Sequence, residues 1–531
     1  MAKATDQAAF EKAVREGYRF SGAPVPLGGA LLGGACLPDL KIAAALALMN
    51  RHGLVAGATG TGKTKTLQGM AEKLSAAGVP VFLADLKGDL SGLQAPGEVT
   101  PKVTERAQSL GVTFTPAGFP VEFLSLTGKH GAAVRATVAD FGPLLLSKAL
   151  DLNDTQASVL ALIFKFADDQ HLPLLDLPDL RAVVSWLAGD DPPDLSQYGG
   201  LSKSTAGVLA RKLTELESQG AGAFFGEPAF DVHDLLRNAP DGRGLISILE
   251  FSDVQDRPRL FSTFLMWLLA ELYEELPERG DADKPLLVFF FDEAHFLFDD
   301  ASKALTEQVT QVVRLIRSKG IGIYFVTQTP KDVPDPILEQ LGNRIQHALR
   351  AFTPNDAKAL KATVSTFPTT PFYDLEETLT TLAIGEAVVS VLAESGAPAP
   401  VVATRMLPPT SRMAPLTDAE FGAAVAASTL AARLAQAVDR ESAREMLAAR
   451  MGHGPAATVP GGGMSPGTPS GSPESSGPPA RPREGKPAPS TGAQIAATAG
   501  VVLGGLLKFA TSRSGQTLIR GVLGTPTRRR R

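Results

Sequence analysis

Apolar residues along this chain fall into two alternating rhythms. Short unbroken apolar runs, bounded by Gly, Pro or Asp, predict strands buried on both faces: HGLVAG from His52, VPVFLAD from Val79, LLVFFF from Leu286 and IGIYFVTQ from Ile321. Between them, KTLQGMAEKLSAAG, FSTFLMWLLAELYEEL and KALTEQVTQVVRLIRSKG carry apolar residues at three- and four-residue spacing, which predicts helices. VTFTP from Val112 reads as a further short strand, as do GLISILEF, RIQHALRAF and GEAVVSVL. Strand and helix in alternation predict a parallel α/β sheet with crossover helices.

Residues 130–235 break this rhythm. LLLSKALDLNDTQASVLALIFKFADD and KSTAGVLARKLTELESQG read as amphipathic helices, hence a helical insertion. The crossover helices already cover the sheet, so the insertion is expected to pack as a separate subdomain. The motor core is then divided into 51–129 and 236–410, preceded at 1–50 by a helix and short Gly-rich strands. A helical extension is expected at 411–452. Gly, Pro and Ser dominate 453–491, a composition that cannot bury a core and predicts a disordered linker. Residues 492–531 form a Gly-spaced apolar and basic tail ending in Arg528–Arg531, read as a solvated tail.

Composition narrows the function classes. The 531 residues exceed one average domain. Cys36 is the single cysteine, so no intrachain disulfide forms, which fits a reducing cytoplasm. The net charge of −5 supplies no global basic field, so any DNA contact needs a local patch. The longest nearly uncharged apolar run, Ile495 to Leu507, falls short of the about 20 residues that span a bilayer, and the N-terminus lacks a signal-peptide core. His52, His130 and His295 show no metal-ligand spacing.

The strongest chemical signal is GATGTGKT: Gly57, Ala58, Thr59, Gly60, Thr61, Gly62, Lys63 and Thr64. It matches G-x-x-x-x-G-K-[ST], for which roughly 0.02 chance matches are expected in a chain of this length. It also sits between a predicted strand and a predicted helix, where backbone N–H groups and the helix N-terminus cradle phosphates. Lys63 would reach the β- and γ-phosphates of ATP, and the Thr64 hydroxyl would hold Mg²⁺. The second signal is LLVFFFDEAH. A buried parallel strand delivers Asp292 and Glu293 to the nucleotide crevice, Asp292 to orient Mg²⁺ and Glu293 to act as general base. DEAH also spells a signature of two-lobed helicases. Only residues 329–452 separate the strand IGIYFVTQ from the linker, which is read as too little for a second RecA-like lobe. The missing positive charge is therefore expected from another subunit.

GATGTGKT, ADLKGDLSG, FFFDEAHFLF, RLIRSKGIGIYFVTQ and LGNRIQHALRAF occur in this order. In this the chain resembles the HerA–FtsK group of P-loop ATPases, most closely the bacterial HerA-like (YjgR-type) proteins, over roughly residues 10–410. The resemblance implies an α/β fold: a RecA-like P-loop NTPase with a mainly parallel sheet, here carrying the helical insertion and the disordered tail. It implies ATP hydrolysis with Mg²⁺, a homo-oligomeric, hexameric ring, and DNA as the polymer moved. Gln328 matches the group's γ-phosphate sensor. Arg317, in RSKGIG, matches the arginine before the sensor strand and is read as either a finger acting in trans or a solvated arginine at a helix C-terminus, and Arg344, in GNRI, is a second candidate for the finger. Asp85 and Asp89 match an acidic pair whose roles are divided between the metal or subunit junction and a plain turn. Only 56 residues precede Gly57, too few for the full β-barrel of archaeal relatives. Two other readings stay open: a ring ATPase acting on protein partners, and a peripheral membrane ATPase held by 495–531.

Overall fold

Strands form where β-branched and aromatic residues alternate between two buried faces, and among the described residues of the computed structural model twelve of them make one sheet. The structure describes residues 7–451 except 253–256, 281, 299–302, 437 and 439. The expected linker at 453–491 and the tail at 492–531 lie outside the described residues. The strands are β1 (Pro24–Leu32), β2 (Ala35–Ala45), β3 (Gly53–Ala56), β4 (Val81–Asp85), β5 (Val121–Ser125), β6 (Ala132–Ala133), β7 (Ile246–Glu250), β8 (Leu287–Phe291), β9 (Ile321–Thr327), β10 (Asn343–His347), β11 (Glu386–Ser390) and β12 (Val402–Met406). Their order is β2-β1-β12-β11-β10-β3-β9-β8-β4-β7-β5-β6. From β10 to β6 every pairing is parallel, and from β10 to β2 every pairing is antiparallel. This is a P-loop NTPase-like α/β core with an antiparallel flank.

The strand period of two sorts side chains onto the faces. In β8, Val288 and Phe290 join one apolar cluster, while Leu287, Phe289 and Phe291 join the other. The first face is covered by the helix Lys63–Ala76 through Leu67, Met70 and Leu74, and by Phe10 and Val14 of the helix Gln7–Gly17. The second face is covered by the helices Pro258–Glu275 and Lys303–Ile316.

The insertion does not stand apart as a subdomain. Its helices Val138–Ala149, Asp154–Asp169, Leu177–Leu187 and Lys203–Ser218 contribute Phe141, Ile163, Leu180 and Leu209 to the same cluster as Phe289 and Phe291. Phe224 bridges the two, with edge contacts to Phe141 on one side and to Phe264 and Trp267 on the other. The helix Pro258–Glu275 is apolar on more of its circumference than one sheet face can bury, and the insertion covers the remainder. Chain beyond the sheet returns to this layer. Leu430, Leu434 and Leu447 enter the same cluster, and Ser442 donates to Asp179 Oδ1 at 2.5 Å.

One expected strand moves. VTFTP is extended without a strand partner, and β5 forms nine residues later at VEFLS. Both segments alternate, but only VEFLS lies beside β7, where its backbone groups find a ladder.

Candidate functional site

β3 runs directly into the loop Gly57–Gly62 and then the helix Lys63–Ala76. Two contacts pin the loop to the flanking strands. Gly57 N–H donates to Thr327 O at 3.2 Å, and Ala58 N–H to Ala348 O at 2.9 Å. Glycine is required at the two ends of the loop. Gly57 and Gly62 have φ of 154° and 112°. A Cβ at Gly57 would also lie 2.5 Å from His347 Cβ. No side chain caps the helix at Gly62, so its first N–H groups remain for an anion. Lys63 curls back over the loop, with Nζ donating to Gly57 O at 2.8 Å and Ala58 O at 3.3 Å. Burial pulls its pKa down from the ordinary lysine value, opposed by the charges of Glu293 and Asp292.

β8 lies two strands from β3, and Asp292 and Glu293 follow its last residue. Glu293 has φ of 49°, a left-handed conformation that costs a non-glycine residue energy and marks functional turns. Its N–H donates to Asp292 Oδ1 at 3.0 Å. Among the described residues, Asp292 Oδ2 and Glu293 Oε2 are buried with no hydrogen-bond partner. Burial first, then the neighbouring Glu293 and Asp85 carboxylates, push the Asp292 carboxyl up to about 7. Crowded carboxylates with orphaned oxygens are what a divalent cation relieves. Thr64, half-buried at the start of the P-loop helix, and Asp292 fit Mg²⁺ on that ground.

Gln328 follows the last residue of β9 and is exposed. The turn holding it is braced by Asp332, which accepts from the Thr329 N–H at 2.9 Å and from the Thr327 hydroxyl. Gln328 thus stands at the same sheet end as the P-loop, since Thr327 pairs with Ala56.

The two arginines do not join this site within the chain. Arg317 is exposed and precedes β9, at the opposite sheet end. The seven residues of β9 separate that end from the P-loop by roughly 20 Å. Arg344 is the second residue of β10, and its guanidinium donates to the carbonyls of Leu338, Leu341 and Thr366 at 3.1–3.3 Å. Asp85 acts as a turn former, its carboxylate accepting from the N–H groups of Lys87, Gly88 and Leu90 at 3.1, 2.9 and 2.8 Å. Asp89 keeps one buried oxygen, Oδ1, without a hydrogen-bond partner among the described residues.

Two residues at the site carried no role in the sequence reading. His347 is buried beneath the P-loop, its Nε2 2.9 Å from the Thr66 hydroxyl, and burial lowers its pKa to about 4. Lys87 forms an ion pair with Glu293 Oε1. The motif ADLKGDLSG contains this lysine, but nothing in its spacing shows that β4 lies beside β8.

A family model described as Helicase HerA-like C-terminal matches residues 34–531. The DNA double-strand break repair helicase HerA of Sulfurisphaera tokodaii is 28% identical over 149 residues, covering 28% of this chain and 29% of the relative. The protein of the same name from Saccharolobus solfataricus is 24% identical over 157 residues, covering 29% and 30%. The match therefore spans less than a third of the length of these curated relatives. Among solved structures, the plasmid coupling protein TrwB with a non-hydrolysable ATP analogue aligns at 15% identity, covering 77% of this chain and 94% of that one, with a TM-score of 0.48. VirB4 of Thermoanaerobacter pseudethanolicus aligns at 14% identity, covering 73% and 98%, with a TM-score of 0.47.

Proposed function

The chain belongs to the helicase HerA-like C-terminal family, and from that premise we propose that it is a Mg²⁺-dependent ATPase working as a ring-forming DNA translocase. The observation that carries the ATPase reading is the meeting of two elements. The uncapped P-loop helix brings Lys63 within electrostatic reach of Asp292 and Glu293, whose orphaned oxygens are buried beside it.

In this reading the N–H groups of Gly57–Thr64 bind the phosphates. Lys63 leaves the neutral carbonyls of Gly57 and Ala58 for the β- and γ-phosphates, where the acceptor is also charged. Thr64 and Asp292 hold Mg²⁺, which when bound neutralises charge on the phosphate oxygens. Glu293 accepts the proton of the attacking water. Gln328, at the same sheet end, contacts the γ-phosphate. The remaining charge arrives from a neighbouring copy. Arg317, exposed at the far sheet end, is the leading candidate, and Arg344 the second. A head-to-tail ring, hexameric by the family's pattern, brings one copy's far end to the next copy's P-loop. Residues 51–129 and 236–410 form the motor, with the 130–235 insertion as its brace. The YjgR-type placement and a cytoplasmic location belong to this same reading, the latter resting on the single cysteine, Cys36.

DNA as the substrate rests on the names of the curated relatives. The net charge of −5 favours a second reading, a ring ATPase acting on protein partners. Membrane attachment through 495–531 would concern residues outside those described; among the described residues no helix is long and apolar enough to cross a membrane. ATP turnover measured with single-stranded, duplex and no DNA at low salt separates the first two readings. A DNA motor shows stimulation that fades as salt rises. Turnover unchanged by every DNA leaves the ATPase and removes the DNA.

A further inference from the structure

Strands β4 and β8 are adjacent and parallel, with Ala84 opposite Phe291, so the turns leaving them emerge side by side at the nucleotide end of the sheet. Lys87 stands on the first turn and Glu293 on the second. Their ion pair joins residues 206 apart in sequence. The two partners differ in freedom. The Glu293 side chain is 6% exposed, whereas that of Lys87 is 49% exposed. The carboxylate is thus held by the fold, and the ammonium is held mainly by the carboxylate. The turn beneath Lys87 is itself rigid, because Asp85 accepts its N–H together with those of Gly88 and Leu90. The lysine side chain is the exposed partner of the pair.

A general base bonded to an ammonium is a poor base, since its lone pair is engaged and its charge is offset. The groups around Glu293 are Lys87 on Oε1, His295 Nδ1 at 3.5 Å from Oε2, and Asp292 and Lys63 within electrostatic reach. A triphosphate carries more negative charge to this end of the sheet than a diphosphate does, and its terminal group is the competitor for the lysine.

Resting on the ATPase reading above, we infer that Lys87 is a positioning residue that latches the general base: it holds Glu293 while no γ-phosphate is present and transfers to the γ-phosphate oxygens when ATP binds, releasing Glu293 for the attacking water. The device couples base release to the presence of a triphosphate. It gives the site a preference for ATP over ADP that is independent of Lys63, which serves both nucleotides.

The test compares affinities of the full chain for Mg²⁺-ADP and for a Mg²⁺-bound non-hydrolysable ATP analogue. Lys87→Met is expected to weaken the triphosphate about ten-fold while leaving ADP within about two-fold, and Lys87→Arg to restore most of the difference, as one charge-assisted bond is lost and regained. Glu293→Gln, which frees the lysine from the other side, is expected to bind the triphosphate more tightly than wild type. Adding Lys87→Met to Glu293→Gln should abolish that gain. A triphosphate-to-diphosphate ratio unchanged in Lys87→Met overturns the latch while leaving the ATPase intact. A wild-type protein that binds neither nucleotide overturns the ATPase reading and the latch together.

Discussion

Glu72, fully buried on the P-loop helix, accepts the N–H of Ser411 at 2.9 Å and its hydroxyl at 2.5 Å. The other oxygen of the same carboxylate takes the N–H and hydroxyl of Thr410, each at 2.8 Å. One turn nearer the phosphates, Gln68 donates to the Ser411 hydroxyl and to Arg412 O, at 2.7 and 2.9 Å, and Lys65 to Met413 O at 2.5 Å. The chain leaving β12 is thus strapped along the outside of the helix that begins at Lys63.

The strap makes Glu72 a stability determinant. Glu72→Ala strands two backbone donors in a buried place and should cost about 3 kcal/mol. Glu72→Gln keeps one acceptor and should cost less. Urea unfolding midpoints at equal m-value measure both. Equal midpoints for the alanine variant and wild type would show that the strap opens freely.

Nucleotide binding and turnover should separate at Lys63 and Glu293. Lys63→Ala removes the main charge partner of the phosphates, so tight ATP binding should be lost. Glu293→Gln should retain binding while turnover falls by at least about 10²-fold, the scale of a general base. Binding titrations alongside phosphate release check this, and equal loss of binding in both variants contradicts the division of roles.

Arg317 offers a test of assembly. With this residue at the sheet end opposite its own P-loop, Arg317→Ala should bind ATP normally yet turn over about 10³–10⁵-fold more slowly. Mixing it with Glu293→Gln should recover part of the activity, because some junctions then hold both intact groups. Turnover per subunit should also rise with protein concentration. No recovery on mixing, with a monomeric mass under active conditions, sinks the trans arrangement.

His52 predicts acid sensitivity. It is buried, its Nδ1 accepts the Ile323 N–H at 3.0 Å, and its Nε2 donates to Val313 O at 2.8 Å. That pattern holds the ring neutral, and burial lowers its pKa to about 4 from 6.5. The unfolded chain takes up the proton first, so this contribution is intact above pH 6.5 and is lost as pH falls toward 4. About 2 kcal/mol should disappear between pH 7 and pH 5 from this residue. His52→Asn, which cannot titrate, should start less stable but lose less over the same interval. The same slope in both proteins would show that His52 does not titrate this way.

How much of this was legible before the fold depends on the range of the interaction involved. The P-loop is local chemistry. Eight consecutive residues, with glycine where φ is positive and a helix starting at Lys63, determine the loop's backbone geometry wherever the chain places it. The acidic pair is nearly as local, because an apolar strand buried on both faces must end at the sheet edge, and Asp292 and Glu293 are the residues that follow it. Gln328 also follows an apolar strand, but its sensor role came from the family resemblance.

Tertiary structure decided what depends on which strands become neighbours. Lys87 meets Glu293 only because β4 lies beside β8, and Thr410 and Ser411 reach Glu72 only because β12 ends near the P-loop helix. His347 lies under the loop because β10 pairs with β3. The placement of the 130–235 helices was of this kind too. Their amphipathic pattern shows that each needs an apolar partner without saying which one. The helix Pro258–Glu275, apolar on more than its sheet-facing side, supplied a face that made a separate subdomain unnecessary. Periodicity records how a segment divides inside from outside, whereas the identity of the neighbour is set by strand order and packing across hundreds of residues, which no local pattern encodes.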